Sequence, residues 1–296
     1  MSQNLLPFVS VIIPVFNDVE ALETCLRFLA RQTYPHEFYE IIVIDNRSDR
    51  DIKGVVDRFE RVVYSYESCP GSYIARNRGL SIAKGEVIAF TDSDCIPESD
   101  WIDRGVAALT QTENCGLVAG KIETCFHNPD RPTPVELYDK ILAFPQKNYL
   151  EKTHFGVTAN LFTFKQVIDT VGAFDEALKS GGDYEWGQRV YQAGYRQAYG
   201  EKVRVSHPAR STFSQLSKKI GRVVKGQYDL QEKAAYTKQK FVRETLKDLV
   251  PPIKFAVGLY QKNRELTHLQ KLQVTYIRFL FKYKRAWERM KLLLAI

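Results

Sequence analysis

Residues Ala75–Cys95 read ARNRGLSIAKGEVIAFTDSDC. A helix-forming run, Ser72 to Lys84, gives way at Gly85 to an apolar strand, Glu86 to Phe90, which runs straight into Asp92-Ser93-Asp94. Carboxylates at the end of a strand that follows a helix point to an α/β sheet, where ligands collect beyond the carboxyl ends of the strands. Two carboxylates this close repel each other. A hard divalent cation relieves the repulsion by taking oxygen ligands, and it can then neutralise a diphosphate. Asp and Ser also cap helices and make turns, and Pro97 follows, so the triplet by itself reads equally well as a cap.

The same grammar extends upstream. Phe8 to Ile13, Glu40 to Asp45 and Val62 to Tyr66 are β-branched runs that predict strands, and Asp18 to Gln32 and Asp49 to Phe59 predict helices between them. The fold class expected is α/β, with a mostly parallel central sheet flanked by helices. Strand one ends in Pro14-Val15-Phe16-Asn17 and strand two in Asp45-Asn46-Arg47-Ser48. Asp45 at a buried strand end can accept hydrogen bonds from a base N–H or a ribose hydroxyl, or it can serve as a turn cap. Arg76 and Asn77 can reach phosphate and ribose oxygens, or they are solvated polar residues. Dinucleotide binding of the Rossmann kind is disfavoured because no GxGxxG follows the first strand. The segment from Cys115 to His154 reads as less regular, with loop signals at Asn128-Pro129 and Arg131-Pro132-Thr133-Pro134. Order returns with a strand at Asn160 to Phe164, helices at Lys165 to Val171 and Asp183 to Ala193, and a short strand, Lys202 to Val205, before His207.

The chain has 296 residues, 44% hydrophobic and 26% charged, a globular composition with a net charge of +7. The charge is divided unevenly. Residues 214–296 hold 19 Lys+Arg against 6 Asp+Glu, and residues 1–213 hold 23 against 29. Five cysteines without a CxxC pair argue against a disulfide framework or structural zinc, and nothing at the start of the sequence resembles a signal peptide, so a reducing, cytoplasmic setting is expected. No run approaches the roughly 18 apolar residues of a membrane span.

Between Val9 and Pro208 the order PVFN, VIDNRS, ARNRGLSIAKGEVIAFTDSD, GAFDE and GGDYEWGQRVYQAGYR resembles the family 2 glycosyltransferases of the GT-A fold, of the type that builds bacterial surface polysaccharides. The resemblance implies a catalytic domain over 1–213 and a basic helical region over 214–296. It implies an inverting, metal-dependent transfer of a sugar from a nucleotide-diphosphate donor, UDP being favoured, to a hydroxyl of a saccharide or lipid-linked acceptor. By position, Pro14, Val15, Phe16 and Asn17 with Glu20 match the first nucleotide loop, Asp45 the residue that contacts the base, and Arg76, with Asn77 beside it, the diphosphate neighbour. Asp92-Ser93-Asp94 matches the family's DxD, Asp92 facing the ribose and Asp94 holding Mn²⁺ or Mg²⁺. His207 is a candidate third partner of the metal, although a lone histidine is as readily structural. The usual second aspartate beside Asp45 is Asn46 here, which lowers the charge of the base pocket.

Inverting transfer requires a base on the attacking side and charge stabilisation on the departing side. Asp183 matches the family's base, and it is also well placed to cap a helix. Gly182, Glu185 and Trp186 then face sugar or acceptor, as do Ala159 and Asn160 by resemblance; Trp186 is equally a core residue. Two other function classes compete. A nucleotidyltransferase would carry a Gly-rich basic loop after strand one, and Pro14–Glu20 has neither feature. A catalytically silent scaffold would lack a carboxylate, and Asp45, Asp92, Asp94 and Asp183 are all present.

In Leu269 to Leu294, Leu272, Tyr276, Phe279, Leu280, Tyr283, Trp287, Met290 and Leu294 recur at helical steps among Lys and Arg. This predicts a helix lying on an anionic membrane, so that the protein is peripheral to the inner face of the cell membrane. Packing against the catalytic domain, or against a second subunit in a homodimer, competes with that reading. Nucleic acid ranks last because no nucleic-acid module accompanies the charge.

Overall fold

The computed structural model describes residues 6–233 and 238–294. Two compact units emerge. The first comprises the chain up to Glu123 together with Phe144–His207, and the second comprises Thr124–Ala143 and Pro208 onward.

The first unit is built on β1 (Val9–Val15), β2 (Tyr39–Asp45), β3 (Val62–Tyr66) and β4 (Val87–Thr91), which are parallel in the order β3-β2-β1-β4. Alternation along β1 sends side chains to both faces of the sheet. Val9, Val11, Ile13 and Val15 join the core formed with Leu22, Leu26 and Leu29 of α1 (Val19–Leu29) and with Trp101 and Ile102 of α4 (Trp101–Gln111). Ile12 faces the other way and meets α3 (Ser72–Ile82) at Gly79, where a Cβ would come within 2.5 Å of the Ile12 side chain. Helices on both faces explain why β1, β2 and β4 are apolar nearly throughout, and each fully buried Val, Ile or Leu contributes about 2 kcal/mol.

A buried carboxylate fixes the sheet's lower end. Glu40 accepts from Ser10 Oγ (2.7 Å) and from the Lys84 amide (2.8 Å), while the Gly85 amide donates to Ser10 Oγ (2.8 Å). Gly85 has no room for a side chain, since a Cβ would lie 2.4 Å from the Ser10 nitrogen. This seals the helix-to-strand junction and sets the Val9↔Val87 register.

Beyond β4 the sheet turns antiparallel. β7 (Asn160–Phe164) pairs antiparallel with β4 and with β6 (Cys115–Cys125), and the short β5 (Ile96–Pro97) pairs antiparallel with β8 (Arg196–Pro208), giving the order β3-β2-β1-β4-β7-β6-β8-β5. The segment expected to be irregular is therefore ordered: it holds the eleven-residue β6, α5 (Pro134–Leu142) and α6 (Gln146–Thr153). The Thr133-Pro134 signal marks a helix start rather than a loop. Thr133 caps α5 in a reciprocal pair with Glu136, and Pro134 takes the first helical position, where its missing N–H costs nothing. The last strand, expected at four residues, runs for thirteen.

The second unit packs α5 with α9 (Phe213–Lys233), α11 (Ile253–Lys262) and α12 (His268–Leu294) around Leu137, Tyr138, Leu216, Leu259, Val274, Ile277 and Phe281. α10 (Lys238–Leu249) lies against α12 and supplies buried Asp248, which accepts from Arg285 (2.8 Å) and Arg289 (2.7 Å). Among the described residues no helix is long and apolar enough to cross a membrane.

Candidate active site

The site assembles where β1, β2 and β4 end. At the end of β2, Asp45 is buried; one oxygen accepts from the Ser48 amide and the other from the Tyr64 hydroxyl, both at 2.9 Å. Tyr64 is on β3, and burial followed by the bond to Asp45 pushes its hydroxyl up to about 12, so it stays a donor. Asn46 explains its own departure from the family pattern. Its amide nitrogen donates to the Cys69 carbonyl (2.7 Å) and its oxygen accepts from the Gly71 amide (2.7 Å), a pairing that an ionised aspartate could not complete.

The first loop is tied to the second. Asn17, in the left-handed region at φ 58°, donates its amide to Ser48 Oγ (2.8 Å) and accepts from the Asp49 amide (2.7 Å). Pro14 and buried Val15 continue β1, and the Phe16 ring beside them is largely exposed. Register places Val15, Asp45 and Tyr66 side by side across the strand ends, so two exposed rings, Phe16 and Tyr66, stand near the carboxylate. Nothing in the sequence of β3 marks Tyr66; strand register reveals it. Glu20 is spent on a bidentate pair with Arg50 at the surface (2.7 Å to each oxygen).

Tyr73 and Arg76 lie on one face of α3, a single turn apart. The Arg76 guanidinium is buried; it pairs with Asp92, donates to the Ser72 carbonyl (3.2 Å), and leaves its Nε without an acceptor. Asn77 faces elsewhere. It brackets the Phe174 backbone (2.8 and 3.0 Å) and reaches Glu176 (3.0 Å), so it anchors the GAFDE segment and does not offer itself to a nucleotide.

Two antiparallel pairings bring distant residues to Asp92-Ser93-Asp94. The β5–β8 register, Ile96↔Ser206, continued by one residue sets His207 opposite Cys95, and His207 Nε2 lies 3.5 Å from Asp94 Oδ2. His207 is buried, with its ring against Phe144 (4.7 Å). The β4–β7 pairing, Thr91↔Asn160, brings Ala159 to the same place, where its carbonyl accepts from Thr91 (3.1 Å). Ser93 is buried between the two aspartates, and the thiols of Cys25 and Cys95 behind them are pushed up by burial and by both carboxylates. They stay protonated and inert.

No group of three metal-ligating side chains converges among the described residues. A carboxylate and an imidazole 3.5 Å apart nonetheless fit two adjacent positions on an octahedral ion with bonds of about 2.1 Å, for which a separation of roughly 3 Å is ideal. An ion that rests on one or two side chains and takes its remaining oxygens from phosphate and water is the ordinary pattern for Mg²⁺, and an imidazole ligand suits Mn²⁺.

Asp183 is the second residue of α8 (Gly182–Gln192), and its side chain does not cap that helix. It turns to Thr158, accepting from the amide (3.4 Å) and the hydroxyl (3.3 Å), while its own amide donates to the Tyr73 hydroxyl (3.4 Å). Gly182 allows this approach, since a Cβ there would lie 2.8 Å from the Tyr73 ring. Burial raises the Asp183 pKa and Asp92 adds to the effect, against the pull of Arg76, the Thr158 amide and Tyr73. A carboxyl held above the usual carboxylate range is a stronger proton acceptor.

Several residues expected at the sugar have other work. Asn160 is fully buried, accepting from Trp101 Nε1 and donating to the Lys121 and Val203 carbonyls, each at 2.9 Å. Ala159 is buried and contributes its backbone. Trp186 is in the core, its ring nitrogen donating to the Gly172 carbonyl (3.1 Å). Glu185 holds Arg189 (2.7 and 2.9 Å), and Arg189 clamps the 171–173 turn. The polar groups of Asn160, Trp186 and Glu185 are thus engaged by the protein itself.

A sequence profile described as glycosyl transferase family 2 matches residues 10–172. The chain is 40% identical over 227 residues to glycosyltransferase AglE of Haloferax volcanii, covering 75% of this chain and 73% of that protein. It is 23% identical over 225 residues to dolichyl N-acetyl-α-D-glucosaminyl phosphate 3-β-D-2,3-diacetamido-2,3-dideoxy-β-D-glucuronosyltransferase of Methanococcus voltae, covering 71% and 70%. Among solved structures, the mannosyltransferase PcManGT of Pyrobaculum calidifontis in complex with GDP-Man and Mn²⁺ is similar with a TM-score of 0.58 at 16% identity, over 99% of this chain and 76% of that one. GalNAc-T7 with UDP, GalNAc and Mn²⁺ gives 0.58 at 19% identity, over 77% and 48%. The architecture is that of the GT-A fold.

Proposed function

Because the chain belongs to glycosyl transferase family 2 and is therefore a nucleotide-sugar-dependent transferase, we propose that it moves a sugar, with inversion and with the help of a divalent cation, from UDP to a hydroxyl of a lipid-linked saccharide. The observation that carries the reading is the meeting of Asp94 and His207 (3.5 Å) beside the buried Arg76–Asp92 pair, with the raised Asp183 nearby. In this proposal Asp45, fixed by Ser48 and Tyr64, accepts a base N–H, and Phe16 and Tyr66 flank the base. Asp94 and His207 would hold Mn²⁺ or Mg²⁺, whose chemistry is to neutralise charge on the departing diphosphate. Arg76 adds a fixed positive charge on that side. Asp183 takes the proton of the attacking hydroxyl, and Thr158 and Tyr73 keep its oxygens in place.

The lipid-linked acceptor is supported by the Methanococcus voltae relative, whose name specifies a dolichyl-linked one. It accords with a C-terminal unit that lies on an anionic membrane.

Thermal shift with UDP, GDP, CDP and ADP, each with and without Mn²⁺, tests the donor site. A ligand at a hundred times its Kd stabilises by about 2.7 kcal/mol, so UDP with Mn²⁺ should raise Tm by several degrees, and Asp94→Ala should lose the metal-dependent part. Silence from every nucleotide, or an unchanged response in Asp94→Ala, overturns the assignment. The anomeric configuration of the product, read by NMR coupling constants, tests inversion.

A further inference from the structure

The periodicity of the tail predicts a basic, amphipathic α12, and the structure divides its residues differently. Within about 60° of Tyr276 around the helix, at 100° per residue, every position from Leu269 to Leu294 is apolar or aromatic except Gln273 and Lys291. The stripe is about 38 Å long. Much of it is turned outward: Leu272 is 60% exposed, Tyr276 61% and Trp287 54%, while Phe279, Leu280 and Met290 are half-buried. The opposite face, Val274, Ile277 and Phe281, fills the core of the C-terminal unit.

The cations of α12 are mostly spent inside that unit. Arg285 and Arg289 serve Asp248, Lys282 donates to the Lys247 carbonyl (2.9 Å), Arg278 reaches the Tyr138 hydroxyl (3.4 Å), and Lys271 is buried. Exposed positive charge on the neighbouring helices includes Lys247, Lys254 and Lys262, while Lys291 of α12 pairs with Glu288 (3.5 Å). The Tyr283 hydroxyl donates to the Leu249 carbonyl (3.1 Å), which brings the end of α10 beside the stripe, and exposed Leu246, Val250 and Ile253 extend the apolar surface there.

An apolar face of this extent, on a monomer, marks an interaction surface. We propose that this stripe of α12, continued by the α10–α11 junction, is the face the protein inserts into an anionic bilayer, with Lys247, Lys254 and Lys262 at the headgroup level. The assignment rests on the membrane reading above and names the surface that carries it. Tyr and Trp suit the boundary between headgroups and acyl chains, where one end of the ring is wet and the other apolar. The charge decides between occupants. A second copy would bring another segment of 19 Lys+Arg against 6 Asp+Glu to the same seam, whereas anionic lipid attracts it.

Trp287 provides a test that needs no substitution. Of the three tryptophans, Trp101 and Trp186 are buried and Trp287 is exposed. Vesicles of equal parts phosphatidylcholine and phosphatidylglycerol should therefore shift the emission to the blue, and brominated lipid should quench it. The full chain should also sediment with these vesicles, less so in about 0.5 M salt, where screening is strong. Tyr276→Glu/Trp287→Glu should lower the partition coefficient about a hundredfold, since burying each ring is worth at least a decade, with the nucleotide-dependent thermal shift unchanged. A full chain that stays in the supernatant overturns the membrane reading itself. Sedimentation that the double substitution leaves intact, or an emission spectrum that vesicles do not move, overturns the choice of face while leaving that reading in place. A concentration-dependent dimer abolished by the same substitutions, with no lipid response, assigns the stripe to a second copy and refutes the proposal.

Discussion

Replacing Asp183 with asparagine keeps the shape of the side chain and removes its charge and its basicity. Burial, helped by Asp92, raises the folded-state pKa of Asp183 above the ordinary 3.8 despite Arg76. The folded protein thus holds this proton more tightly than the unfolded chain does. The contribution of Asp183 to stability is most favourable below the ordinary pKa and declines as pH rises through the folded one. At neutral pH the ionised carboxylate is a cost to folding that the amide does not carry. Asp183→Asn should therefore separate activity from stability. We expect kcat to fall by about 10²–10⁴-fold, the usual contribution of a general base. The KM for the donor should hardly move, because Asp183 faces Thr158 and not the nucleotide loops. Stability at pH 7 should rise by about 1 kcal/mol, as when a strained functional group is neutralised, which is about 2 °C in Tm for a chain of this size. The gain should shrink as pH falls through the raised folded-state pKa, where the wild-type carboxyl takes up its proton. Steady-state kinetics and calorimetry across pH read both quantities. The wild-type rate should also lose its acid limb at a pH above the ordinary carboxylate range. A variant that turns over normally, or that is inactive and less stable at pH 7, refutes the reasoning; the second result would make Asp183 a structural residue.

Asn160→Ala strips two carbonyls of donors and Trp101 of its acceptor, so urea unfolding should show a loss of about 3 kcal/mol, with nucleotide affinity preserved well below the midpoint; a loss of affinity without a loss of stability would return Asn160 to the ligand. Asn46→Asp sets an acceptor against the Cys69 carbonyl and should cost about 2 kcal/mol at pH 7. That deficit should shrink as pH falls, because the protonated acid regains a donor. EDTA should abolish transfer and Mn²⁺ should restore it in the wild type, whereas Asp94→Ala should stay inactive at any Mn²⁺ concentration that rescues the wild type.

The parallel half of the fold could be read in the sequence because burial on both faces writes continuous β-branched runs, and β1 to β4 fall within two residues of those runs. β6 could not. Its sequence, CGLVAGKIETC, carries two glycines that weaken any strand signal, and the structure needs both. A Cβ at Gly116 would lie 2.4 Å from Val190, and one at Gly120 would lie 2.3 Å from Asn160. The same close packing hides the role of Asn160, because nothing in NLFTF tells whether its first side chain faces a ligand or the backs of two strands. Asp45, Asp92, Asp94 and His207 were legible as types at strand ends. That His207 lies against Asp94 follows from a register between β5 and β8, and short antiparallel pairings across a hundred residues leave no local trace.

The arrangement of charge bears on the order in which ligands arrive. Asp92, Asp94 and the proposed base Asp183 share their surroundings with one guanidinium, Arg76, and with His207. Arg76 is already paired with Asp92, so a diphosphate entering alone would meet the like charges of these carboxylates with no added cation to offset them. A cation held by Asp94 and His207 would reverse that balance. UDP should accordingly bind weakly without Mn²⁺ and much more tightly with it, and Arg76→Met should weaken both forms while leaving the metal's enhancement in place. Calorimetric titration of UDP into the two proteins, with and without Mn²⁺, measures each of the four affinities. Equal affinity with and without the ion would mean that something other than Asp94 and His207 neutralises the diphosphate.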